Sequence, residues 1–269
     1  MDHKKINGPS RLKVSHLKAG YSGKVVLEDV SMDVAEGEIR IILGASGCGK
    51  STLLKTIIGL EKPLGGEIEL LGSKVDWSLG RPADDIVKRM GVLFQGGALL
   101  SSLTVGENVA LPMKIHNPGL PDEVVEELVR LKLSQVKLGH AYDKLPNELS
   151  GGMRKRAGLA RAIVNDPDLL FCDEPSAGLD PVTSRSLDEL LLELRSTLGI
   201  TMVVVTHELD SIRTLCDRMT FLGSGKVVFD GTLKEAEARG PKEVNDFLDR
   251  KGETVVQNGR KIAFNLEDG

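Results

Sequence analysis

The run Gly44-Ala45-Ser46-Gly47-Cys48-Gly49-Lys50-Ser51-Thr52 constrains this chain more than any other stretch. It fits the pattern G-x-x-x-x-G-K-[ST] and follows an apolar run, Ile39-Arg40-Ile41-Ile42-Leu43. A helical pattern comes next, with Leu53, Leu54, Ile57 and Ile58 on one stripe. Strand, glycine loop and helix in that order are the setting of a phosphate-binding loop. The glycines let successive backbone N–H groups face one anion, and the helix N-terminus behind them adds positive partial charge. In such a loop Lys50 reaches the β- and γ-phosphates of a nucleoside triphosphate, and the Ser51 hydroxyl ligates Mg²⁺.

Composition narrows the partners. A chain of 269 residues can bury a full core as one large or two small domains. Its net charge of −4 gives no basic footprint for nucleic acid. No apolar stretch reaches the roughly 18 residues that a membrane-spanning helix needs. Met1-Asp2-His3-Lys4-Lys5 is followed by no apolar h-region, so no secretory signal is expected. Cys48, Cys172 and Cys216 are widely spaced, which points to a reducing compartment and no disulfide framework.

Alternation from Leu12 to Val34 predicts antiparallel strands broken by the turn Tyr21-Ser22-Gly23-Lys24. Tyr21 at that edge is a candidate to lie over a nucleotide base, with plain packing as the alternative reading. Glu67 to Gly72 reads as strand, Asp84 to Arg89 as a short helix, and Gly91 to Gln95 as a buried strand ending in a polar residue. Gln95 there is either a site residue or a satisfied loop amide. Residues 96–165 turn helical, opening on a capping box at Thr104 and Glu107 and continuing with Val125, Leu128, Val129 and Leu131 at helical spacing. From Asp168 the chain returns to strand–helix–strand rhythm, which implies a parallel sheet with helices on both faces. The tail, 232–269, holds two helical patterns and an Asn258-Gly259 hairpin signal. It serves either to cap the fold or to reach a partner.

Asp173-Glu174 supplies the second half of a site. Carboxylates at the C-terminal end of a buried strand face the crevice where α/β sheets bind ligands. Asp173 is placed to hold the Mg²⁺ shell, and Glu174 to orient or deprotonate a water for attack on the γ-phosphate. A second acid favours hydrolysis over transfer to a bound acceptor. His207 follows the next strand and can lie near the same phosphate, unless it is structural. Ser150-Gly151-Gly152 opens another helix and makes a second anion-ready terminus, with Ser150 as its cap. One nucleotide does not need two such cradles from one chain, so in a symmetric dimer the second would close over the partner's γ-phosphate. Arg154 to Arg156 are either support for that closure or a solvated face.

These residues, in this order, resemble the ATP-binding subunit of ABC transporters over about residues 12–231. Ser176-Ala177-Gly178-Leu179-Asp180 looks like the family's D-loop and His207 like its switch histidine. The resemblance implies an α/β fold: a P-loop NTPase core of the ABC ATPase type, with an antiparallel β subdomain and an inserted α-helical subdomain at about 96–165. It leaves 1–11 as a lead-in and 232–269 as an extension. It further implies that Tyr21 stacks on adenine and that Gln95 couples the Mg²⁺ site to the helical subdomain. ATP would be sandwiched between two copies, with Asp180 at that interface. A finer likeness, to the Mce/Mla-type lipid transport ATPases, rests on Leu93 through Val105 with Glu107-Asn108-Val109, and on Ser150-Gly151-Gly152-Met153 with Arg156. Leu100 departs from the Phe usual in that group. The likeness implies integral membrane permease subunits as partners, phospholipid or a related lipid as cargo, a STAS-domain regulator, and a place on the inner face of the cell membrane. Importer ATPases for small solutes and soluble non-transport ABC ATPases are the competing readings; the acidic charge stands against the latter.

Overall fold

The computed structural model describes residues 8–21, 23–249, 255–257 and 260–262. In chain order the elements are β1 (Ser10–Tyr21), β2 (Lys24–Ala35), β3 (Ile39–Gly44), α1 (Lys50–Ile57), β4 (Gly65–Leu70), β5 (Ser73–Lys74), α2 (Asp84–Val87) and β6 (Met90–Leu93). Next come α3 (Val105–His116), α4 (Asp122–Gln135), α5 (Gly151–Ala162), β7 (Leu169–Asp173), α6 (Pro181–Leu198), β8 (Thr201–Val205) and α7 (Leu209–Leu215). The chain then runs through β9 (Arg218–Gly223), β10 (Lys226–Gly231), α8 (Leu233–Arg239) and α9 (Lys242–Leu248). Val255–Gln257 pairs antiparallel with Arg260–Ile262, flanking the expected Asn258-Gly259 turn, whose two residues lie outside the described ones. Ser22 of the first expected turn, and residues 1–7 of the expected lead-in, are likewise outside. Ser10 and Arg11 are not lead-in but strand, tied to β2 by antiparallel pairing and by the Arg11–Glu36 ion pair at 2.5 Å.

Ten strands form one sheet in the order β5-β4-β1-β2-β10-β9-β3-β8-β7-β6. The pairs β9-β3, β3-β8, β8-β7 and β7-β6 are parallel, and β1, β2 and β4 form an antiparallel wing. Sequence patterning implied two separate strand systems; the structure joins them through a thin seam. Lys226 of β10 pairs with Asp29 of β2, and Glu28 N–H donates to the Gly225 carbonyl at 2.9 Å. Gly225 permits that approach: a Cβ there would lie 2.4 Å from the Val26 carbonyl oxygen.

Alternation along the central strands splits the core into two layers. Ile39, Ile41, Leu43, Leu170, Cys172, Met202 and Val204 face one cluster, which α3, α4, α5, α6 and α7 complete. Ile42, Leu169, Phe171, Val203 and Val205 face the other, filled by α1 through Leu53, Leu54 and Ile57 and by the antiparallel wing. The tail contributes to the first layer. Ala236, Val244, Phe247 and Leu248 are buried there, and Phe247 meets Phe221 edge-on at 5.6 Å. On α4 the apolar spacing misled at one position: Leu131 is exposed, whereas Val125, Val129 and Leu133 are buried. The stripe of α4 drifts with the 3.6-residue period and passes Leu131 on the solvent side.

One charged cluster lies inside the sheet. Arg40, 2% exposed, donates to Glu38 Oε1 at 2.6 Å, to the Asp33 carbonyl at 2.6 Å and to Thr220 Oγ1 at 3.2 Å, and pairs with Asp230. It thereby ties β3 to β2, β9 and β10 across the seam. Removing one member of a buried ion pair costs about 3–5 kcal/mol because the remaining charge stays desolvated. Arg218 still pairs Asp230 at 2.8 Å, so Arg40→Met should cost about 3 kcal/mol. Urea unfolding checks this; a loss under about 1 kcal/mol would show that the cluster does not hold the seam.

Candidate functional site

The sheet brings the phosphate loop and the acidic pair to one edge. β3, β8 and β7 are neighbours and parallel, with Ile42 beside Val205 and Val205 beside Asp173. The loop after β3, the acids ending β7 and His207 after β8 therefore emerge side by side.

The loop is shaped by backbone. Gly44 sits at φ 144°, where a Cβ would strike the Leu222 carbonyl oxygen at 2.3 Å and Cys48 Sγ at 2.6 Å. The α1 N-cap is Gly49, and no side chain caps the helix, so its first N–H groups are directed to the loop's concavity. Lys50 Nζ donates to the carbonyls of Gly44 at 2.8 Å and Ala45 at 3.1 Å, which holds the ammonium over the loop. Ser51 is exposed in the first turn of α1, and Thr52 is half-buried beside it. Ala45, Ser46 and Gly47 form the exposed rim.

Glu174 is held at several points. Its backbone is left-handed at φ 47°, and its N–H donates to the Val205 carbonyl at 2.8 Å. His207 Nδ1 lies 2.9 Å from Glu174 Oε1, the geometry in which a protonated Nδ1 donates to a carboxylate. Glu174 Oε2 is buried and without a hydrogen-bond partner among the described residues. Burial, and then the neighbouring Glu174, push the Asp173 carboxyl above the usual carboxylate range, against the pull of Lys55, Lys50 and Lys155. Two crowded, desolvated carboxyls favour a nearby cation.

Among the described residues no three His, Cys, Asp or Glu side chains gather as a self-sufficient metal site. Mg²⁺ takes one or two carboxylates and completes its shell with phosphate oxygens and water. The oxygen donors Ser51, Asp173 and Gln95 fit such an ion. Gln95 is exposed in the loop after β6.

Among the described residues no hydrogen bond or ion pair joins Tyr21, Ser150, Gly151, Gly152 or Asp180 to the phosphate loop. Tyr21 ends β1 and is 55% exposed. Ser150 caps α5, its Oγ accepting from Met153 N–H at 3.2 Å. Asp180 caps α6, accepting from Val182 N–H at 3.1 Å and from Thr183 N–H at 3.0 Å and Oγ1 at 2.5 Å. The Thr183 hydroxyl and then its backbone hold the Asp180 carboxyl below its usual range. The two caps adjoin: a Cβ on Gly152 would meet Thr183 Cγ2 at 2.6 Å.

Three features escaped the sequence reading. The basic run on α5 is not one solvated face. Arg154 donates to the Leu149 carbonyl at 2.6 Å, and Arg156 to the Val136 carbonyl at 3.0 Å and Ser186 Oγ at 2.9 Å. Lys155 between them is buried and reaches the Glu174 carbonyl. Asp188, also buried, accepts from Ser176 Oγ at 3.1 Å and Ser211 Oγ at 2.7 Å, linking the turn after Glu174 to the helix after His207. An acid amid the stripe Leu187, Leu190, Leu191 and Leu194 was the available signal. Finally, the Gln95 loop lies backbone to backbone on α5: a Cβ on Gly158 would be 2.9 Å from Gly97 Cα. Arg161 clamps the contact, donating to the Gly97 carbonyl at 2.8 Å and the Ala98 carbonyl at 2.7 Å.

Known proteins are similar to this chain in sequence and in fold. The family model described as "ABC transporter" matches residues 27–177. The probable ribonucleotide transport ATP-binding protein mkl of Mycobacterium leprae is 38% identical over 252 residues, which is 94% of this chain and 70% of that protein. The intermembrane phospholipid transport system ATP-binding protein MlaF of Escherichia coli is 39% identical over 226 residues, 84% of each. A methionine import ATP-binding protein of Paraburkholderia xenovorans, MetN 2, is 42% identical over 207 residues, 77% of this chain and 53% of that one. Among solved structures, cbiO1 of Clostridium perfringens, part of the ABC transporter complex cbiONQ, superposes with a TM-score of 0.76 at 34% identity, covering 87% of this chain and 92% of that one. A dimeric ATP-binding cassette in a post-hydrolysis state, bound to ADP and Pi, gives a TM-score of 0.73 at 32% identity, covering 82% and 98%.

The Gly97–Gly158 contact is testable. Gly158→Ala puts a methyl against backbone, so the Gln95 loop must move from α5, at about 1–2 kcal/mol of net stability. ATP hydrolysis should fall roughly tenfold, since small displacements of site groups are costly. Unchanged turnover would show that the loop need not sit on the helix.

Proposed function

Since the chain belongs to the ABC transporter family and is an ATP-hydrolysing cassette, we propose that it powers a separate membrane permease whose cargo is phospholipid or a related lipid. The observation that carries the hydrolytic reading is the Glu174 carboxylate, held by His207 at the same sheet edge as the Gly44–Thr52 loop.

On this reading the loop N–H groups and Lys50 hold the β- and γ-phosphates, and Tyr21 lies against the adenine. Ser51, Asp173 and Gln95 would hold Mg²⁺, which when bound neutralises phosphate charge. Glu174 orients the attacking water and takes its proton, while His207, whose Nδ1 meets Glu174 and whose Nε2 lies 3.7 Å from Glu208 Oε1, serves near the γ-phosphate. The Ser150–Gly152 cradle and Asp180, which make no hydrogen bond to this chain's own loop among the described residues, serve the ATP of a second copy. Two copies thus sandwich two nucleotides, and closure and reopening are passed to the permease. Gln95 carries that motion to the helices of 96–165, because its loop rests on α5.

The lipid assignment is supported by the Leu93–Val105 run, by Met153 with Arg156, and by the likeness to the phospholipid transport protein over most of both chains. The likeness to a methionine import protein favours a second reading, an importer for a small solute. Among the described residues no helix is long and apolar enough to cross a membrane, so attachment to the inner face falls to the permease. A STAS-domain regulator belongs to the lipid reading.

Glu174→Gln should abolish hydrolysis, by a factor of about 10³ or more, and leave an ATP-bound dimer visible by size-exclusion chromatography. Retained turnover would remove Glu174 from the chemistry. Purification from detergent-solubilised membranes should recover a permease carrying phospholipid. A permease that instead carries an amino acid supports the importer, and recovery of ribosomes or DNA without a permease overturns the transport reading.

A further inference from the structure

Lys155 is an unusual place to bury a charge. It is 6% exposed, and among the described residues its ammonium donates one hydrogen bond, 2.9 Å long, to the backbone carbonyl of Glu174. An ammonium has three N–H donors, so the group is desolvated and incompletely satisfied. An apolar side chain of similar length would be cheaper to bury at this position. The charges of Glu174 and Asp173 attract the ammonium, but desolvation outweighs them, so stability alone does not account for a lysine.

The location does. Besides the Ala177 N–H, which closes the local turn onto the Glu174 carbonyl at 3.3 Å, Glu174 has three anchors from elsewhere in the fold: Val205 for its N–H, His207 for its carboxylate, and Lys155 for its carbonyl. The first two belong to β8 and the segment after it, beside the phosphate loop. The third comes from α5, the helix whose first turn is the Ser150–Gly152 cradle. Lys155 lies five residues after Ser150, about 7.5 Å along a rigid helix. A shift of the cradle on engaging an anion is thus felt at the Glu174 carbonyl. Glu174 sits in the sparsely populated left-handed region, which persists only where neighbours impose it.

Building on the hydrolytic role of Glu174 proposed above, we propose that Lys155 is a positioning residue: its ammonium couples the Ser150–Gly152 cradle to the Glu174 backbone and so sets the direction of the Glu174 carboxylate. The cradle that closes over one nucleotide is thereby mechanically linked to the acid that acts on the other. Lys155 touches neither ATP nor water in this scheme; it acts through Glu174.

The test is steady-state ATP hydrolysis by the full chain assembled with its membrane partner, comparing wild type, Lys155→Met, Lys155→Arg and Glu174→Gln. Lys155→Met should lower kcat roughly tenfold or more while the KM for ATP stays within about threefold, because among the described residues Lys155 makes no hydrogen bond to the phosphate loop and Lys50 and Lys55 still act on Asp173. Its thermal midpoint should equal or exceed that of wild type. Lys155→Arg, which keeps a charged donor, should recover kcat to within about threefold of wild type. A kcat for Lys155→Met within about threefold of wild type, or a loss that Lys155→Arg does not recover, overturns the proposal. Should Lys155→Met fail to fold, Lys155→Gln takes its place with the same thresholds. Glu174→Gln separates the two levels. If it hydrolyses ATP, the underlying reading fails; if it is inactive while Lys155→Met is not, the Lys155 coupling alone fails.

Discussion

The parallel hydrogen bonding of β3 to β8 and of β8 to β7 is the constraint on which the rest depends. Parallel strands deliver their C-terminal ends to one edge, and each of these three ends in a polar segment: the glycine loop, Asp173-Glu174, and Thr206-His207. No single segment holds a site. Register alone places Val205 between Ile42 and Asp173, and from there the Val205 carbonyl fixes the Glu174 N–H. The apolar layers above and below serve to keep that register, since a slip of one residue would exchange the faces of every strand.

A second theme is charge placed where water cannot reach. Arg40, Lys155 and Asp188 are all buried, and each binds elements that the apolar core leaves independent. Arg40 ties the central strands to the antiparallel wing across a seam of little backbone pairing. Asp188 ties the turn after Glu174 to the helix after His207. Lys155 ties α5 to Glu174. Apolar contacts are non-directional and tolerate sliding, whereas a desolvated hydrogen-bonded charge accepts one geometry. Two of these joints, Lys155 and Asp188, bear on the segment that carries Glu174.

The residues gathered at this sheet edge were largely legible beforehand, because nucleotide chemistry demands particular residues at short spacing. The phosphate loop is a local pattern, and Asp173-Glu174 and His207 each close a recognisable buried strand. The capping residues Thr104 and Ser150 were equally local, since a cap depends on the three residues that follow it. What escaped notice depends on distant neighbours. Lys155 in a basic run looks like its flanking arginines until the fold shows which of the three points inward. Gly158 on α5 looks like a helix weakness until Gly97 is seen against it. Leu131 shared the apolar spacing of α4 and yet faces out, because the helix, not the composition, sets the phase.

The sequence by itself determined the element order, the nucleotide loop, the acidic pair with its histidine and the family, because these rest on backbone chemistry and on contacts within a few residues. Only the tertiary structure decided that the antiparallel wing and the parallel core form one sheet, that α8 and α9 of the tail complete the core, and that Lys155 reaches Glu174. Each of those joins residues far apart in the chain, and which distant groups meet is settled by packing both layers at once, a condition that no local pattern encodes.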